Sequence, residues 1–68
     1  MVLDLSKGQG VKWQGKEAQI IEILYKYWGR VRQYALLYIP EKRKSVRVTV
    51  ERLYRENPDL VVVTEEIK

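Results

Sequence analysis

At 68 residues the chain is one domain, of a size that buries only about 60% of the surface its unfolded form exposes, which leaves little room for an enclosed active site. Hydrophobic residues make up 46%, enough for a small core and unlike a disordered chain, and the absence of cysteine and histidine removes disulfides and thiolate metal sites as staples. The formal net charge of +4 hides a gradient: residues 7 to 55 hold twelve Lys or Arg against four Glu, a local +8, whereas residues 56 to 68 come to −3. A basic body of this kind favours a polyanionic partner.

No run approaches 18 consecutive apolar residues, and MVLDLSKGQG has neither the basic start nor the apolar block of a secretory signal. The expected setting is the cytoplasm, with no membrane partner. Few Asn and Gln beside many Lys, Arg, Glu, Tyr and Val suggest a thermophilic source.

Residues 1 to 9 read as a flexible lead-in, with SKGQG, residues 6 to 10, as an entry loop into the first strand. Val11 to Gln14 alternates apolar with polar, and Gln14-Gly15-Lys16 supplies a reversal whose glycine can take positive φ. Residues 17 to 28, EAQIIEILYKYW, are ambiguous, because Ala18, Ile21, Leu24 or Tyr25, and Trp28 also fall at helical spacing. A bent strand is favoured: the segment is rich in β-branched and aromatic residues, and no Ser, Thr, Asp or Asn caps it before Glu17. One bulge at Ile20 and Ile21 restores alternation. It puts Ala18, Ile20 or Ile21, Ile23, Tyr25 and Tyr27 on the core face and Gln19, Glu22, Leu24 and Lys26 on the other.

Gly29 is then a turn, and Val31 to Ile39 a third strand ending at Pro40, which has no N–H to donate. Beyond the PEKRK loop, Ser45 to Val50 alternates cleanly, with Val46, Val48 and Val50 on one face and Arg47 and Thr49 on the other. Glu51 to Glu56 suits a single helical or 3₁₀ turn closed by Asn57-Pro58. Leu60 to Thr64 reads as a last strand, buried or paired at an edge, and residues 65 to 68 as a frayed acidic tail.

Four strands, a short helical turn and a fifth strand within residues 10 to 64 resemble the all-β, five-stranded SH3-like barrel. The opening GVKWQGKEAQIIEIL looks like KOW-type and Tudor-like members, Gly15 being the best match. The resemblance implies binding of RNA, DNA or protein, as in small basic archaeal chromatin proteins or accessory barrels of helicases and transcription factors. Fold alone does not choose among these.

The candidate site is the face of the hairpin made by the third and fourth strands. If Val31, Ala35, Leu37 and Ile39 enter the core with the valines, Arg32, Tyr34, Leu36, Tyr38, Arg47 and Thr49 share the opposite face. Cations there would hold phosphates and tyrosines would stack on bases. Lys42, Arg43 and Lys44 at the hairpin tip would add affinity without reading sequence. Arg30 joins this set, and Trp28, beside the turn glycine, is a further stacking candidate, whereas Trp13 is expected in the core or over one barrel end. The bland readings are that the tyrosines fill the barrel or a dimer contact and that the KRK loop is a solvated turn.

No acid is spaced convincingly for general acid–base work, so no enzymatic activity, small-molecule substrate or cofactor is expected. The alternative from another class is a protein-interaction or self-assembly barrel, with LVVVT adding to the sheet edge of a partner or a second copy. A winged-helix binder with a helix over residues 17 to 28 would need more helices than the chain supplies.

Overall fold

In the computed structural model, which describes residues 1–27 and 31–63, six short and long strands and one helix are present. They are β1 (Val2–Leu3), β2 (Gly10–Trp13), β3 (Lys16–Tyr27), β4 (Val31–Ile39), β5 (Lys44–Thr49), α1 (Val50–Glu56) and β6 (Val62–Val63). Strands β2, β3, β4 and β5 form one antiparallel meander, each paired with the next, and β1 pairs with β6 in a separate two-stranded ribbon. The chain is therefore rich in sheet with one short helix. Among the described residues the strands divide into two sheets, and closure into one five-stranded barrel is not seen.

The β2–β3 reversal is a two-residue turn between Trp13 and Lys16, with φ of 54° at Gln14 and 77° at Gly15. Positive φ at both central residues is the primed turn whose twist matches a hairpin. Strand β3 is a strand, not a helix, and its pairing with β4 slips between Ile20 and Glu22. The reason lies in the adjacent isoleucines. Two successive strand residues cannot both face the core, so Ile20 is fully buried while Ile21 is the extra residue and 40% exposed.

Beyond this bulge, alternation holds across the sheet. Ala35, Leu37 and Ile39 of β4 and Val48 of β5 are buried, joined by Val11, Trp13, Ala18, Ile20 and Leu53 in one core cluster against which Ile23 and Val46 pack. Thr49 caps α1, its hydroxyl accepting the N–H of Arg52 at 3.4 Å, and the helix drops Val50 and Leu53 into the interior. Val50 thus opens the helix rather than closing the strand.

Two expectations need correction. The lead-in carries a strand: Leu3 is buried in β1, and the backbone of Gly8 and Gln9 bonds to Ile20 at 2.7 and 2.9 Å. Tyr25 is about half exposed rather than in the core, because it lies past the packed region, where its hydroxyl meets the Gln33 side chain at 3.3 Å. Of the two readings offered for the last strand, edge pairing is the one seen: Val62–Val63 pairs with β1 and Val61, Val62 and Val63 are exposed, while Leu60 packs against the core. The side chains of Tyr27 and Val31, both expected in the core, the turn at Gly29, Thr64 and the tail at residues 65 to 68 lie outside what is described.

Two buried carboxamides join distant segments. Gln33 Oε1 accepts the Leu3 N–H at 2.7 Å and its Nε2 donates to the Leu3 carbonyl at 3.1 Å, so the side chain pairs with β1 as a neighbouring peptide would. Asn57, the only asparagine, repeats the device: Oδ1 accepts the Lys12 N–H and Nδ2 donates to the carbonyls of Lys12 and Leu53, each at 2.9 Å. Glu56 adds a carboxylate to the Gln14 N–H at 2.6 Å. Together they cover the outer edge of β2, which would otherwise offer unpaired peptide groups to another chain.

Candidate nucleic-acid interface

The face of the meander turned away from the core is set by the β3–β4–β5 register. Cross-strand pairs Lys26↔Arg32, Leu24↔Tyr34 and Glu22↔Leu36 join β3 to β4, and Tyr34↔Thr49, Leu36↔Arg47 and Tyr38↔Ser45 join β4 to β5. Along β4 the outward residues run Arg32, Tyr34, Leu36, Tyr38, with Arg32 exposed and the other three half-buried. The expected alternation therefore brings Arg32, Tyr34, Tyr38, Arg47 and Thr49 to one face.

Charge gathers around Tyr34. Lys26 Nζ lies 5.9 Å from its ring centroid and Arg47 Cζ lies 5.6 Å away, both within cation–π range. Among the described residues, Lys26, Arg32 and Arg47 make no ion pair, and the acid on this part of the face, Glu22, is met by Lys7 at 3.4 Å. The centre of the face is consequently basic, with an aromatic and aliphatic surface between the cations. Lys26 is a member that the sequence reading put on this face without counting it in the site. The signal was present in the alternation, but its place over Tyr34 depends on the β3–β4 register.

The KRK loop lies elsewhere. Lys44 pairs with Ile39 at the far end of the hairpin, seven residues from Arg32, about 24 Å along an antiparallel strand. Lys44 also shares the strand parity of Val46 and Val48, so it does not join the Arg47 side. Lys42 and Arg43 occupy the loop proper, closed by N–H bonds to the Ile39 and Pro40 carbonyls, and Glu41 is engaged by Lys16 at 3.7 Å. The tip is a second group of cations on the same hairpin, separate from the Tyr34 cluster. Trp13 is buried in the core, and Trp28 and Arg30 lie outside the described residues.

Arg43 holds φ of 53°, the left-handed region that costs a residue with a Cβ roughly 1 kcal/mol or more. Glycine would relieve that strain. Arg43→Gly is expected to raise stability by up to about 1 kcal/mol, read as the shift in urea midpoint, while reducing the salt slope of oligonucleotide binding by about 0.7 to 0.9. Higher stability with an unchanged slope would make the loop a solvated turn.

No known protein family, curated protein or solved structure matches the chain. No described helix is long and apolar enough to cross a membrane.

Proposed function

We propose that this chain is a small basic module that binds nucleic acid on the β3–β4–β5 face. Arg32 and Arg47, with Lys26 beside them, hold phosphates; Tyr34 and Tyr38 offer stacking surfaces; and Lys42 and Arg43 in the loop extend the electrostatic contact toward the hairpin tip. The observation that carries this reading is the gathering of Lys26 and Arg47 around the Tyr34 ring, next to Arg32 and with the neighbouring acid already neutralised. No catalytic step is assigned.

The order of four meander strands, a short helix and a last strand supports an open relative of the SH3-like barrel. Fluorescence anisotropy with labelled DNA and RNA oligonucleotides, titrated from about 50 to 200 mM salt, tests the function. Affinity that falls steeply with salt supports it; absence of binding at the low end removes it.

A second reading rests on β6. Its two exposed valines, the exposed Val61 just before them and its single strand neighbour among the described residues favour addition of another chain at that edge. Light scattering across protein concentration is the check: mass that rises with concentration, and a Val62→Lys variant that stays monomeric, would support assembly through this strand.

A further inference from the structure

We infer that the ligand of the β3–β4–β5 face is a single strand rather than a duplex, laid along β4 with its bases toward the tyrosines. The inference rests on the nucleic-acid reading above and narrows it to one class of ligand. Its basis is the row Arg32, Tyr34, Leu36, Tyr38, four successive outward positions of one strand. Outward residues of an antiparallel strand recur about every 6.8 Å. A nucleotide in duplex rises about 3.4 Å per strand, so an unstacked strand that extends to roughly twice that rise sets one nucleotide against each outward residue. Tyr34 and Tyr38 then meet bases two nucleotides apart, and Leu36 packs against the one between.

The chemistry of the row points the same way. A duplex turns its charged backbone outward and keeps its base faces stacked inside. Three half-buried apolar side chains set against that backbone would lose water without gaining a partner. Exposed base faces provide one, since rings stack on any base and aliphatic groups cover the remaining apolar edge. Charge is complementary along the line: Arg32 and Lys26 stand at one end of the row, Arg47 beside Leu36, and Lys42 and Arg43 beyond Tyr38. Lys26 and Arg47, drawn toward the Tyr34 ring in the free protein, lie within one side-chain swing of phosphates that flank a base stacked there.

The test is anisotropy at low salt with the full chain and two labelled probes, an eight-nucleotide pyrimidine strand and a hairpin duplex. The single strand is expected to bind at least about 10-fold tighter. Tyr34→Ala and Tyr38→Ala should each cost about 5- to 100-fold on the single strand and leave the duplex nearly unchanged, and Tyr→Phe at each position should restore binding, because stacking needs the ring and not the hydroxyl. A duplex that binds as tightly as the strand, or alanine variants that weaken both probes equally, would overturn the inference while the nucleic-acid reading stands. If neither probe binds, both fall. The wild-type comparison of the two probes decides the matter even if an alanine variant fails to fold.

Discussion

Replacing Asn57 by alanine is expected to destabilise the fold by about 2 to 4 kcal/mol, read from the urea or thermal unfolding of the purified variant. The side chain is 7% exposed and makes three bonds of 2.9 Å, two to the peptide of Lys12 and one to the Leu53 carbonyl. Alanine leaves the Lys12 N–H and carbonyl on the edge of β2 without their side-chain partner and removes one of two donors to the Leu53 carbonyl, although the backbone cap of α1 stays, and each polar group left unpaired costs about 1 to 3 kcal/mol. Total stability for a chain of 68 residues is on the order of 3 to 10 kcal/mol, so this one carboxamide carries a large share of it. Asn57→Asp should be no better: one oxygen can still accept from Lys12, but the other then faces two carbonyl oxygens where Nδ2 donated. A change within about 0.5 kcal/mol for Asn57→Ala would show that water replaces the clip at little cost.

The second large effect concerns binding. Arg32→Ala combined with Arg47→Ala is expected to weaken low-salt affinity for an oligonucleotide roughly 10- to 100-fold and to make the log–log salt slope shallower by about 1.4 to 1.8, two phosphate contacts at 0.7 to 0.9 each. Both arginines are exposed on the face turned from the core, so the variant should keep its fold apart from a loss of about 0.5 to 1 kcal/mol where Arg47 leaves the Tyr34 ring. Lysine at both positions keeps the charge and should recover most of the slope. Affinity lost without a change of slope would mean that the substitutions act on the sheet and not on phosphates.

Much of this face was legible beforehand because strand alternation is a local rule. From Arg32 to Ile39 the residues alternate between surface and core, and the same rule assigns Val46, Arg47 and Val48 correctly. The bulge was legible too, since Ile20 and Ile21 cannot both point inward. What escaped was long-range. Two residues of β1 show no period, and Leu3 is held by a glutamine 30 positions away. Likewise, nothing near Asn57 announces a partner 45 residues earlier. Tyr25 has the core parity but sits beyond the end of the core, a limit that pattern alone does not mark. The separation of the KRK loop from Arg32 follows from hairpin direction: residues close to a turn in sequence are far from the residues at the open end of the same strands.

The β1–β6 ribbon and the meander also divide the labour. Gln33 ties the ribbon to the buried side of β4, and Asn57 and Glu56 cover the edge of β2, so among the described residues none of these tethers occupies the β3–β4–β5 face. A domain this small gains little by leaving three half-buried apolar residues and several cations on one face unless something covers them.

The most direct measurement is the salt dependence of oligonucleotide affinity for the wild-type protein. A log–log slope of about −3 or steeper between roughly 50 and 200 mM salt, with the single strand bound more tightly than the duplex, is the expected result. A flat dependence, or no binding at the lowest salt, would contradict the account.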